Sequence, residues 1–225
     1  MGEPEVGNEV SIEIARLYVS FFNRAPDPEG VQYWMNRYAE AVANGFGADL
    51  FLEEIADSFA QSPEAKAIYE QQADPGRAEI EAYITEAYQN MFGRTPDAEG
   101  LKYWADRWET EMAEGQPGVR VLFEIENAAR GSTNQNDIDA LNNKAEVAAK
   151  FTTDFISSGV TWTTEDFEKA QTIVDDVDHT DDSVQQANDQ IDQYIEEQTG
   201  GSGPVEPTNR GGSGKLDSGI SGFCA

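Results

Sequence analysis

A chain of 225 residues, 39% hydrophobic and 10% aromatic, is long enough to bury a sizeable core and too apolar to be a disordered polyelectrolyte. Its formal charge of −28 excludes non-specific attachment to nucleic acid or an anionic membrane, and suits high salt or divalent cations that screen self-repulsion. No apolar run reaches membrane-spanning length, and a single cysteine, Cys224, excludes an internal disulfide or a cysteine-built metal site.

Residues 1–10, MGEPEVGNEV, form a polar lead-in that is expected to fray. They have neither the basic nor the apolar region of a signal peptide, so the expected location is cytoplasmic or reached by a signal-peptide-independent route. Ile14, Leu17, Tyr18 and Phe21 mark a first helix, which Asn23-Arg24-Ala25-Pro26 stops, because the residue before a proline is pushed out of the α region. The spacing of Val31, Trp34, Met35, Tyr38 and Val42 predicts a second helix, and that of Phe51, Leu52, Ile55 and Phe59 a third from near Asp49. Ser62-Pro63-Glu64 starts a short fourth helix, ending before the turn Asp74-Pro75-Gly76.

Ile80, Tyr83, Ile84, Ala87, Tyr88 and Met91 open a second unit, followed by a helix with Leu101, Trp104, Ala105, Trp108 and Met112 on one face. Gly115-Gln116-Pro117-Gly118 breaks the chain, and Val121, Leu122, Ile125 and Ala129 predict another helix before the loop Gly131–Asn134. A longer helix from about Asp137 carries Ile138, Leu141, Ala148, Phe151 and Phe155, and two more are predicted over 164–177 and 183–197. No sustained period-2 pattern occurs, so the fold class is all-α. From Thr199 the composition turns to Gly, Ser, Pro and Asn, the signature of a flexible tail. The expected organisation is a first helical unit at 1–75, a second at 76–132, a C-terminal helical part packed on them at 133–198, and the tail at 199–225.

One stretch occurs twice. Residues 22–38, FNRAPDPEGVQYWMNRY, and 92–108, FGRTPDAEGLKYWADRW, share nine of 17 positions at a constant offset of 70 without a gap, which reads as an internal duplication. In each, an aspartate (Asp27, Asp97) stands where a helix N-cap belongs, and a glutamate (Glu29, Glu99) lies in the first turn against the positive end of the helix dipole. Each copy is predicted to be a helix, an acid-capped corner and a second helix carrying a tryptophan inward.

The pattern (N/G)R-x-PD-x-EG-(V/L)-x-YW resembles a bacterial repeat of unknown function, related to the phycobilisome linker domain and found in secreted surface proteins such as S-layer proteins and RTX-type adhesins. The likeness covers both copies and the following segment Asn143–Phe151 (NKAEVAAKF), and as an architecture roughly residues 11–195. The layout is also similar to the helical anchoring domain that holds an S-layer lattice on lipopolysaccharide. The resemblance implies location and role rather than a reaction. It also implies type I secretion, which reads a C-terminal signal; the ending LDSGISGFCA bears a loose likeness to one.

The candidate site residues lie at the corners: Arg24, Asp27, Glu29, Gly30 and Trp34, and Arg94, Asp97, Glu99, Gly100 and Trp104. Asp27, Glu29, Asp97 and Glu99, with Asn23 as a further oxygen, would be weak ligands for calcium; capping is the reading preferred, since a hard cation needs several converging oxygens. Arg24 and Arg94 would either grip a sugar or phosphate or pair internally with nearby carboxylates, the latter favoured in so acidic a chain. Trp34 and Trp104 fall on the apolar stripe, whereas Tyr33 and Tyr103 lie off it and are the better candidates for stacking on a glycan. The acidic groups around Asp175–Asp182 read as a solvated surface. His179, the sole histidine, has no second histidine or cysteine with which to hold zinc. Neither G-x-S-x-G, H-E-x-x-H, a Walker loop nor a helix-opening G-x-G-x-x-G is present.

The expectation is a non-enzymatic module, secreted or at the cell surface, that anchors or assembles an S-layer-like or adhesin-like protein. Its partners would be a surface glycan such as lipopolysaccharide or proteins including itself, with no nucleic acid, no membrane insertion and no cofactor. The alternative is an intracellular, linker-like scaffold in a larger assembly.

Overall fold

A computed structural model describes residues 3–69 and 75–200. Among these the fold is all-α: helices α1 (Glu3–Phe22), α2 (Pro28–Ala43), α3 (Ala48–Ala60), α4 (Pro63–Tyr69), α5 (Arg77–Phe92), α6 (Ala98–Ala113), α7 (Val121–Arg130), α8 (Gln135–Ser158), α9 (Thr164–Asp175) and α10 (Asp181–Gln198), with a 3-10 turn at Gly118–Arg120 before α7. The expected tail, apart from Thr199 and Gly200, lies outside the described residues, as do Cys224 and Asp74 of the expected turn.

Two helices organise the rest. From Ile14 to Pro26 every residue is buried, so the C-terminal part of α1 is covered on all sides. Ile14, Leu17, Tyr18 and Phe21 face a core shared with Trp34, Phe51, Ile55 and Phe59 of α2 and α3 and with Ile80, Ile84, Trp108 and Leu122 of the second unit. Ala15 and Val19, on the other side, join a second core with Ala148, Phe151 and Phe155 of α8, Ile173 and Val174 of α9, and Ala187 and Ile191 of α10. Small residues line that seam, which lets α1 lie close along the 24-residue α8. Thr152 Oγ1 donates to Pro26 O at 2.5 Å and satisfies a carbonyl the corner leaves open.

Some buried polar groups near this seam are paired, whereas Ser20 Oγ and Glu126 Oε2 are buried without a hydrogen-bond partner in the protein. Arg16 meets Glu13 at 2.6 Å and donates to Asn142 Oδ1 at 3.1 Å. Lys144, almost wholly buried, donates to Val174 O at 2.6 Å, closing the C-terminal end of α9, and burial draws its ammonium down to about 8. Glu126 is buried between Arg16 and Arg130; burial pushes its carboxyl up to about 7 against the pull of those two cations.

Local differences from the sequence reading have physical causes. Helix α1 begins at Glu3, so the polar lead-in is mostly helical; Pro4 falls in the first turn, where a missing N–H costs nothing. Val42, read as part of the buried stripe of α2, is 51% exposed, because the last turn of that helix lies beyond the core. Helix α8 starts at Gln135, which places Asp137 inside its first turn, and α10 starts at Asp181 behind the Thr180 cap, two residues earlier than its apolar pattern.

Candidate functional site

The two corners are built from the same bonds. Phe22 and Phe92 end α1 and α5, and the next residue takes the left-handed conformation in each case, Asn23 at φ 51° and Gly93 at φ 68°. Asparagine and glycine are the residues that tolerate it. Asp27 and Asp97, extended at ψ 160° and 167°, then accept from Gly30 N at 2.8 Å and Gly100 N at 2.7 Å, capping α2 and α6. Glu29 and Glu99 lie exposed in the first turns, beside the positive helix ends.

The arginines are locked by carboxylates far along the chain. Arg24 Nε and Nη2 donate to Glu64 at 2.9 Å each, and Nη1 donates to Ala25 O at 2.9 Å. Arg94 Nε and Nη2 donate to Asp137 at 2.8 and 2.5 Å, and Nη1 to Thr95 O at 3.1 Å. Both partners sit in the first turn of a later helix, α4 or α8, so each bidentate pair staples a corner to a helix N-terminus. The guanidinium of Arg24 also lies 5.1 Å from the centre of the Tyr18 ring and 5.6 Å from that of Phe22; Arg94 lies 5.4 and 5.9 Å from Tyr88 and Phe92. The hydrogen bond to Asp137 holds the Arg94 guanidinium above its ordinary range. Both forks are thus paired from within, Arg24 in a buried setting and Arg94 with its side chain 42% exposed. Asp27, the carboxylate nearest in sequence, keeps its Oδ2 3.8 Å from Arg24 Nη1 while its Oδ1 accepts the cap bond.

The tryptophans are buried. Trp34 packs edge-on against Phe51 and Phe59, and Trp104 Nε1 donates to Tyr88 Oη at 2.8 Å. Tyr33 and Tyr103 lie against those tryptophans, 4.8 Å between ring centres in both, yet are 54% and 56% exposed. Gly30 is required by close approach: a Cβ there would stand 2.3 Å from Tyr18 Oη. At Gly100 the nearest tyrosine oxygen is 4.0 Å away. Burial, then the Asp27 charge, pushes the Tyr18 hydroxyl up to about 12.

The corners differ in what surrounds them. Asp27, Pro28 and Glu29 border a groove of about 530 Å³ whose other wall is Ile156, Trp162 and Phe167, from the end of α8, the connection that follows it and the start of α9. Its floor is apolar, its rim carries carboxylates, and Trp162 Nε1 is buried there with no protein acceptor. Phe167 closes a third aromatic face on Arg24, at 4.8 Å. At the second corner Asp97 is exposed. This groove depends on residues 130 positions apart and has no local sequence signal, although Trp162 and Phe167 are aromatics flanking a readable Thr163 cap.

Among the described residues no group of three or more His, Cys, Asp or Glu side chains is placed to hold a metal ion. Asn23, offered as a calcium oxygen, donates its amide nitrogen to Asp175, tying the first corner to the end of α9, while its Oδ1 is buried without a protein donor. His179 is exposed between α9 and α10. Glu126 and Lys144, both displaced by burial, lie in helix packing. No helix among the described residues is long and apolar enough to cross a membrane.

Residues 56–116, from the end of α3 through α6 and including the second corner, match the family described as Domain of unknown function (DUF4214). The chain is also similar to a protein of Synechocystis sp. named S-layer protein, 26% identical over 185 residues, which cover 79% of this chain and 10% of that protein. The chain thus spans about a tenth of the length of this relative. No solved structure matches it.

Proposed function

We propose that this chain is a non-enzymatic interaction module of a bacterial surface protein, carrying two copies of one corner unit akin to the phycobilisome linker domain, and that it anchors or assembles a surface layer. The observation that carries this reading is the similarity, over most of the chain, to a protein named S-layer protein. The acidic surface supports it, since a charge of −28 is tolerable where salt or divalent cations screen it. Glycan contact would fall on the exposed rings of Tyr33 and Tyr103, with the groove beside Asp27 and Glu29 offering carboxylate acceptors for hydroxyl groups next to an apolar wall. Export would use a signal-peptide-independent route such as type I secretion.

The test is co-sedimentation of the purified protein with polysaccharide isolated from the envelope of the cells that make it. Binding that is lost in the Tyr33→Ala, Tyr103→Ala double variant supports the glycan contact. Equal recovery of wild type and variant refutes these residues as the contact, and no sedimentation refutes glycan anchoring.

A further inference from the structure

The two most exposed large apolar side chains among the described residues lie together. Phe46 and Leu50 are 60% and 59% exposed, and with Ala41 and Phe51 they form the apolar side of an open groove of about 440 Å³ between the end of α2 and the start of α3, whose other side is Arg37, Glu40, Asn44 and Glu54. A patch of this kind on an otherwise acidic chain calls for a cover.

The chain contains the template for that cover. The connection from α6 to α7 is built like the one from α2 to α3, with residues 70 apart in matching roles. Gly45 and Gly115 are left-handed at φ 82° and 79°, and Phe46 N donates to Ala41 O at 3.0 Å as Gln116 N does to Glu111 O at 2.8 Å. Arg37 reaches Glu54 as Arg107 reaches Glu124. The second connection is covered, because it docks on α3: Gly118 and Val119 are buried, and Arg120 donates to Asp57 at 2.6 Å and to Glu53 at 2.7 Å. Shifted by 70, Arg120 becomes Leu50, and its partners Glu53 and Asp57 become Phe123 and Asn127 on α7. Both sides of the join change character together, from ion pair to apolar and neutral. Leu50 is exposed, Phe123 is half-buried and Asn127 is exposed.

We infer that the occupant of the Phe46–Leu50 patch is a second copy of this chain, whose α7 presents Phe123 and Asn127 to it, so that the join between the two units inside one chain is repeated between chains. The contact is heterologous: the patch of one copy meets α7 of the next, which generates rings or open chains. It gives the assembly role proposed above its surface and rests on that reading. Because copies with a charge of −28 repel while Leu50, Phe123 and Asn127 carry no charge, association strengthens as salt rises, opposite to an interface held by ion pairs.

The test uses the full chain in a Cys224→Ser background, followed by sedimentation velocity at low and high salt over a range of concentrations. The expected result is monomer at low salt and species of dimer size and above at high salt, lost in Leu50→Arg and regained when Leu50→Arg is mixed with Asn127→Asp. Single-cysteine variants Leu50→Cys and Asn127→Cys, mixed and oxidised, should give a 50–127 intermolecular disulfide that neither variant gives alone. Monomer under every condition overturns the inference, and so does cross-linking of Leu50→Cys only to itself, which would make the contact isologous. Either failure leaves the surface location of the protein untouched, since that is read in cells and not on purified protein.

Discussion

One substitution made at two matching positions should have opposite signs. Gly30→Ala places a Cβ 2.3 Å from Tyr18 Oη and 3.3 Å from its Cζ. The ring cannot swing away: Tyr18 is 5% exposed and packs edge-on against Phe59, 4.7 Å between ring centres, and against Phe22. Overpacking of this kind costs about 1–3 kcal/mol, while replacing a helical glycine at a compatible φ returns about 0.4–1 kcal/mol, leaving a net loss of roughly 1–2 kcal/mol. At Gly100 the tyrosine oxygen is 4.0 Å from the new Cβ, and only the Asp97 carboxylate, at 3.2 Å, must yield by a few tenths of an ångström. Gly100→Ala is therefore expected to be neutral or stabilising by up to ~1 kcal/mol. Urea unfolding followed by circular dichroism measures both, and in thermal melts the Gly30→Ala loss corresponds to about 2–8 °C for a chain of this size. Tyr18→Phe removes the clashing oxygen, so a double-mutant cycle should return most of the Gly30→Ala loss. Equal shifts at the two glycines, or no recovery with Tyr18→Phe, would refute the close-approach argument.

Arg94→Ala strands Asp137, which is nearly buried, and should cost about 2–3 kcal/mol in chemical unfolding, with Asp137→Asn costing less because it leaves no unpaired charge. Glu126, raised from 4.5 to about 7, binds its proton more tightly when folded, so its contribution to stability falls as pH rises from 4.5 through 7. Glu126→Gln should flatten that part of the stability profile in melts taken at stepped pH. Gly93→Ala should lose about 1–2 kcal/mol from left-handed strain, and Asn23→Gly about 1 kcal/mol from the missing bond to Asp175 rather than from the backbone, both read by urea midpoints.

The helices were legible because Ile14, Leu17, Tyr18 and Phe21, and their counterparts at 80–91, are large and spaced at 3.6, and because Asp27 and Asp97 cap locally. What the pattern hid lies at long range. The second face of α1 consists of Ala15 and Val19 with Arg16 between them, too small or too polar to register as a stripe, yet buried because α8 lies along it. The partners of Arg24 and Arg94 are 40 and 43 residues downstream, and no window on the sequence joins them. Their shared local mark, an acid in the first turn of a later helix, was visible at Ser62-Pro63-Glu64 but reads there as a helix start alone. The groove beside Asp27 and Glu29 needs the end of α8 to return to the first corner, which only tertiary packing decides.

The central claim is that the protein works outside the cell. Protease shaving of intact cells, with and without a chelator wash and followed by immunoblotting, tests it most directly. The account predicts loss of the full-length signal from intact cells. Full protection until the cells are lysed would contradict it and leave an intracellular scaffold in its place.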